Sequence, residues 1–174
     1  MRVGPVAALL VLCASQAIAT PFEVAVGESG KLAFDLPAGW SADAIPSGQS
    51  VAVRILSPDR TALSLTLAVL PLAADSPITS AAALRQFVEE QASRLQLTPQ
   101  KLEILDLRSA QGSGFYFHMA SPQPDSVPLD FHSGALLVHG HLANFTIGIR
   151  SGQEALLSQA LALLASLNIT PPAA

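Results

Sequence analysis

Two hydrophobic rhythms alternate along this chain, and their order constrains the fold more than any other feature. A period of two sends alternate side chains to opposite faces of a β-strand; a period near 3.6 lines them along one side of a helix. The period of two governs Phe22–Val26, Lys31–Leu36, Val51–Leu56 and Ala62–Leu70. The last two are joined by Ser57-Pro58-Asp59-Arg60, where proline presets the turn and aspartate can cap it through its side chain. The rhythm then changes. Behind a capping Thr79 or Ser80, residues Leu84, Phe87, Val88, Gln91 and Leu95 fall along one helical face, with Arg85, Glu89, Glu90 and Arg94 on the solvent side. Glu90 and Arg94 stand in the favourable acid-first i,i+4 order. Period two returns over Leu102–Leu107, Phe115–Ala120 and a long hairpin, Leu129–Arg150, after which Ser151 is placed to cap a second helix over Gln153–Leu167. Strands joined by tight turns pair antiparallel. The expected fold is therefore α+β, a single antiparallel sheet of about six to seven strands covered by two helices.

The ends of the chain read differently. Met1-Arg2 is a short basic start, Val3–Ile18 is apolar or weakly polar, and Ala17-Ile18-Ala19 has the small-x-small pattern of a signal-peptidase site. Residues 1–19 are expected to be a secretory signal cleaved after Ala19, which places the mature chain in the periplasm or outside the cell. Cys13 follows Leu12 rather than a small residue, which argues against lipid attachment, and cleavage removes this only cysteine. The mature chain of ~155 residues then forms one domain, residues 20–170, with a frayed tail at 171–174. Nine Lys+Arg face 13 Asp+Glu for a formal net charge of −4, and loss of Arg2 with the leader takes it to −5. With no basic run, nucleic acid and anionic membrane are poor partners. No later segment is long and apolar enough to span a bilayer, so the processed chain is expected to be soluble.

Several short motifs in this order carry a resemblance. Leu36-Pro37-Ala38-Gly39-Trp40, the Leu84–Leu95 helix, Gly112-Ser113-Gly114-Phe115-Tyr116 and the closing Ser166-Leu167-Asn168-Ile169 resemble the PsbP/Mog1-like proteins. The likeness is greatest to the bacterial DcrB-like branch, small exported proteins largely without assigned activity. It implies an α+β fold whose members bind other proteins: photosystem subunits, a small GTPase, secretion-system effectors. It supplies no catalytic residues, and fold alone does not set function.

The residues themselves offer little chemistry. Gly39-Trp40-Ser41-Ala42-Asp43 lacks the second glycine of a nucleophile elbow and reads as a polar turn. Gly112-Ser113-Gly114 precedes no helix that would aim amides at a phosphate and reads as a strand entry. Glu103 and Asp106 fall on opposite faces of one strand. What remains is a polar patch. If the Phe115–Ala120 and Leu129 strands pair with His118 opposite Asp130, then Tyr116 falls opposite His132, and a slip of two leaves all four on one face. Such a set could hold a metal through two imidazoles and a carboxylate, or position a general base. It reads equally as a solvated or partner-binding sheet face.

The other two histidines lie in Val138-His139-Gly140-His141-Leu142. A two-residue turn at His139-Gly140 would put Asp130 and His132 on one face with Ile147 and Ile149, a mixture that a sheet with one wet face rejects. A three-residue loop, or a bulge at Ser133-Gly134, sets Asp130 opposite Arg150 and His132 opposite Gly148. On either account His139 and His141 sit at an exposed hairpin tip.

The expected function is an exported, non-enzymatic binding or accessory protein of the cell envelope, with no cofactor and an unidentified protein or envelope component as partner. The alternatives are a small metal-dependent or acid–base enzyme using His118, Asp130, His132 and Tyr116, and a carrier of a small apolar ligand.

Overall fold

The computed structural model describes residues 19–95, 102–120 and 129–171. The expected leader with Cys13, the loop after Ala120 and the last residues of the tail lie outside them. The strands are β1 (Thr20–Ala25), β2 (Lys31–Leu36), β3 (Ser41–Ser47), β4 (Ser50–Leu56), β5 (Leu63–Pro71), β6 (Ile104–Ser109), β7 (Gly112–Ala120), β8 (Leu129–Val138), β9 (His141–Arg150) and β10 (Asn168–Thr170). The helices are α1 (Ala81–Arg94), between β5 and β6, and α2 (Glu154–Ala165), between β9 and β10.

Seven strands form one sheet in the order β3-β4-β5-β9-β8-β7-β6, and every neighbouring pair is antiparallel. The α+β class, the antiparallel sheet and the two helices are as the rhythm predicts. Two elements differ. Ser41–Asp43, expected to lie in the polar turn Gly39–Asp43, instead open edge strand β3: its small Ala42 and Ala44 pack inward while Asp43 and Ile45 point out, an alternation too weak in apolar bulk to read. Pro46 fits there because an edge strand can forgo an amide donor. The sheet is also not single. Asn168–Thr170 leaves the second helix and pairs with β2, making a separate three-stranded sheet in the order β1-β2-β10.

The helices cover opposite faces of the large sheet. α1 turns Leu84, Val88 and Ala92 onto Phe117, Ala135 and Leu142. α2, with Ala160, Leu163 and Leu164 inward, and the small sheet, with Leu32, Phe34 and Ile169, cover Leu65, Leu67, Phe145 and Ile147. Each fully buried leucine of these layers contributes roughly 1.5–3 kcal/mol by its removal from water. Ser80 caps α1 by accepting from the amide of Ala83 at 3.2 Å. Leu95, past the end of that helix, is 52 % exposed rather than buried. The outer ion pair is Arg85–Glu89 at 3.1 Å, and Glu90 accepts from Gln86. Ser151 does not cap α2; its N-cap residue is Gln153, which makes no side-chain capping bond.

The central hairpin corrects the expected register. Val138 pairs with His141, and His139 and Gly140 alone form the turn, with φ of 44° and 76°. Two successive residues at positive φ are the primed turn whose twist matches the strands it joins. Neither a three-residue loop nor a bulge at Gly134 is present, since Gly134 pairs with Phe145 on one side and Tyr116 on the other. Asp130 stands opposite Ile149 and His132 opposite Ile147, the mixture that a half-wet sheet would reject. It is allowed because both faces are covered for part of their length. On the α2 side the strand runs from a polar end at Asp130 to an apolar one at Val138, so polarity changes along the strand instead of across it.

Candidate functional site

The polar end of that face gathers the four residues singled out by their parity. β7 and β8 pair His118 with His132, Ala120 with Asp130 and Tyr116 with Gly134, a shift of two from the expected alignment of His118 with Asp130. All four side chains still share one face, since a shift of two preserves the side. Gly134 makes room for this arrangement. A Cβ there would lie 2.7 Å from Cα of Tyr116 and would run into the carbonyl of Phe115. Over that glycine the Tyr116 ring packs between His132 and Phe145, at centroid distances of 6.1 and 6.5 Å.

His118 and His132 lie ring against ring, 4.9 Å between centroids and 33° between planes. Nε2 of His118 lies 3.3 Å from Oδ1 of Asp130, with the two side chains 48 % and 27 % exposed. So open a pair contributes under about 1 kcal/mol. His132 is the opposite case: 8 % exposed, with a buried Nδ1 that has no hydrogen-bond partner among the described residues.

These environments separate the protonation states. The Ser151 hydroxyl, donating to Asp130, holds its carboxyl below the ordinary value; burial, the next largest effect, opposes this, and the hydrogen bond and charge of His118 add to the lowering. Burial pushes the His132 imidazole down, helped by the charge of His118 and opposed by Asp130. Burial pushes the Tyr116 phenol up, with the Glu103 carboxylate adding to it. At neutral pH the patch therefore holds a carboxylate, a neutral buried imidazole and a protonated phenol.

Beside it opens a cleft of about 370 Å³. Leu105, Ile149 and Leu157 form its apolar part, and Glu103, Asp130 and Glu154 bring carboxylates to it. Sequence reasoning missed Glu103, Glu154 and Ser151 as members of this site. Glu103 had a legible signal, the parity it shares with Leu105; Glu154 and Ser151 arrive through the turn into α2, which no periodicity reports.

Chemically, the His118–Asp130 contact has the form of an oriented imidazole. A catalytic use needs a partner on the other ring nitrogen, and among the described residues no hydroxyl or thiol is bonded to it. Nor is there, among the described residues, a group of three His, Cys, Asp or Glu side chains able to hold a metal ion.

The other two histidines are built into the structure. His139 Nδ1 donates to the carbonyl of Ile169 at 3.0 Å, tying the turn to β10. His141, expected at an exposed tip, is 7 % exposed: Nδ1 donates to the carbonyl of His139, and Nε2 lies 3.0 Å from the hydroxyl of Ser29 in the β1–β2 turn. A carbonyl only accepts, so the Nδ1 position of each ring carries a proton. The turn thus fastens the small sheet to the large one.

No family model and no curated protein matches the chain. Solved structures do. Cyanobacterial PsbP (CyanoP) from Synechocystis is 14% identical, with a TM-score of 0.56 over 92% of this chain and 99% of that one. LpqN of Mycobacterium tuberculosis, described as involved in cell envelope biogenesis, is 14% identical, with a TM-score of 0.52 over 88% and 92%. A Bacteroides thetaiotaomicron protein is 11% identical, with a TM-score of 0.51 over 80% of this chain; the match spans 45% of that protein, under half its length. These likenesses show the fold, which is PsbP-like. Among the described residues no helix is long and apolar enough to cross a membrane.

Proposed function

We propose that the protein is an exported, non-enzymatic binding or accessory component of the cell envelope, akin to the DcrB-like proteins, and that it works through protein–protein contacts. The observation that carries this reading is the state of the patch: an open cleft whose histidines touch neither a nucleophile nor a third metal ligand among the described residues. The involvement of LpqN in cell envelope biogenesis supports the compartment, as does the signal-like N-terminus. The enzymatic alternative retains one feature, the 3.3 Å contact of His118 with Asp130. Purification from the exporting cell without a histidine tag tests both. The expected product has lost residues 1–19 by mass and carries only trace metal that a chelator removes. A stoichiometric, chelator-resistant metal would sink the binding-protein reading.

A further inference from the structure

We infer that β6, the outer strand of the large sheet, pairs antiparallel with β6 of a second copy of this chain, about a twofold axis at Leu107. The inference goes beyond the proposed function and does not depend on it. The large sheet ends in two edges, β3 and β6. A two-residue turn makes the residues that flank it a hydrogen-bonded pair, and bonded and unbonded pairs then alternate along the hairpin. Ser47 and Ser50 flank Gly48-Gln49, so Ala42, Ala44 and Pro46 turn their backbone outward from β3. Pro46 has no amide to offer, and that edge is blunted. Ser109 and Gly112 flank Ala110-Gln111, so Ile104, Asp106 and Arg108 turn their amides and carbonyls outward from β6. This second edge has no proline, no lysine and no bulge. Among the described residues, none of its outward groups has a backbone partner.

The side chains say which strand fits. Asp106 and Arg108 are exposed, share one side of the strand, and make no ion pair among the described residues. Arg85, over the neighbouring Phe115 ring, is already paired with Glu89. An edge of like charges repels its own copy, whereas Asp and Arg two residues apart are complementary to themselves. Setting Leu107 against Leu107 places Asp106 opposite Arg108 of the second copy, and the twofold repeats the contact. Both residues face outward, so each such pair also exchanges two backbone hydrogen bonds. A register two residues away would oppose Asp106 to Asp106 or Arg108 to Arg108. A shift of one would set outward-facing residues against residues already bonded to β7. Leu157 of α2 shares the cleft with Leu105. The twofold carries Leu105 of the second copy to the Ser109 end, so the two α2 helices are offset along the joined edge. So short an edge makes an interface of the weak, transient class, under about 1,200 Å².

The test is sedimentation equilibrium of the untagged, exported protein from micromolar to millimolar concentration at low salt. A reversible dimer is expected, and added salt should weaken it. Asp106→Arg and Arg108→Asp each set like charges at both symmetric contacts and should weaken it at least about tenfold. Asp106→Arg/Arg108→Asp restores opposite charges, and its dissociation constant should return to within about threefold of the original. Amide exchange on the unaltered protein reads the edge directly. Protection at Asp106 and Arg108 should rise with concentration, while Leu105 and Leu107, already bonded to β7, change little. The inference is overturned if the protein stays monomeric at millimolar concentration, which would leave the edge to a strand of another protein. It is equally overturned if the single reversals leave a dimer unchanged, if a folded double variant does not restore it, or if the two amides gain no protection. Because the exchange measurement needs no variant, misfolding of any of the three would leave the outcome decided. Metal content and loss of the leader are separate readouts, so the binding-protein reading can fail while the pairing holds, and the reverse.

Discussion

The central hairpin carries two histidines at each end, or across from it, and treats them in opposite ways. At the turn, His139 and His141 have hydrogen-bond partners: Ile169, His139's own carbonyl and the Ser29 hydroxyl. At the open end, His132 is as buried as His141 yet keeps an unpartnered nitrogen, and His118 makes one long contact with Asp130. Burial therefore does not separate the histidines of the two ends; hydrogen-bond commitment does. A ring whose donors and acceptors are filled holds sheets together. One left unfilled under cover costs stability instead.

Removing imidazoles from the two ends should expose that contrast most strongly. His141→Ala leaves a cavity and unties the small sheet, and is expected to cost about 2–3 kcal/mol. His118→Ala should stay within about 0.5 kcal/mol, as for an exposed side chain with a weak partner. Urea denaturation of the two variants checks both, and equal losses would erase the distinction. A smaller effect isolates the turn. Gly140 has a φ of 76° with nothing within 4 Å of an added Cβ, so Gly140→Ala adds backbone strain without a clash. A loss of about 1–2 kcal/mol is expected, read as a shift in the urea midpoint. No loss would show that the turn relaxes away from its primed form.

The smallest effect at neutral pH belongs to His132→Leu, which deletes the orphan nitrogen at similar volume. Stability there should be unchanged or higher by about 1 kcal/mol. Its larger signature is in pH. Burial on folding lowers the His132 pKa from its ordinary value of 6.5. As pH falls past that value, the unfolded chain takes up a proton that the native ring resists, and native stability declines. Denaturation curves between neutrality and about pH 5 should show this decline in the wild type and a flatter profile in the variant. Asp130 acts in a lower window: its depressed pKa stabilises the native state above the carboxylate range, and that support disappears as pH falls through its own value. His132→Leu should retain this second loss.

Much of the architecture was legible. Strong alternation located β2, β4, β5 and the β8–β9 hairpin to within a residue or two, and Ser80 marked the start of α1. The failures have physical causes. In β3 the inward side chains are alanines, so burial leaves no hydrophobic contrast. In β10 three residues are too few to establish a period. Parity placed Tyr116, His118, Asp130 and His132 on one face, yet the partner across from each was two residues away from expectation. The cleft's acidic members come from a strand end and a helix start, which only packing brings together.

The sequence by itself determined the type of most elements, because local periodicity records which side of a strand or helix is to be buried. It also determined that the four polar residues share a side, since parity survives any shift by two. Tertiary structure alone decided the register at His139-Gly140, the assignment of the helices to opposite faces, and the fate of each histidine. The reason is that parity assumes a sheet with one wet face. Once α1 covers one face and α2 with the small sheet covers the other, a strand can be apolar at one end and polar at the other on the same side, and only the covering elements say where the change falls.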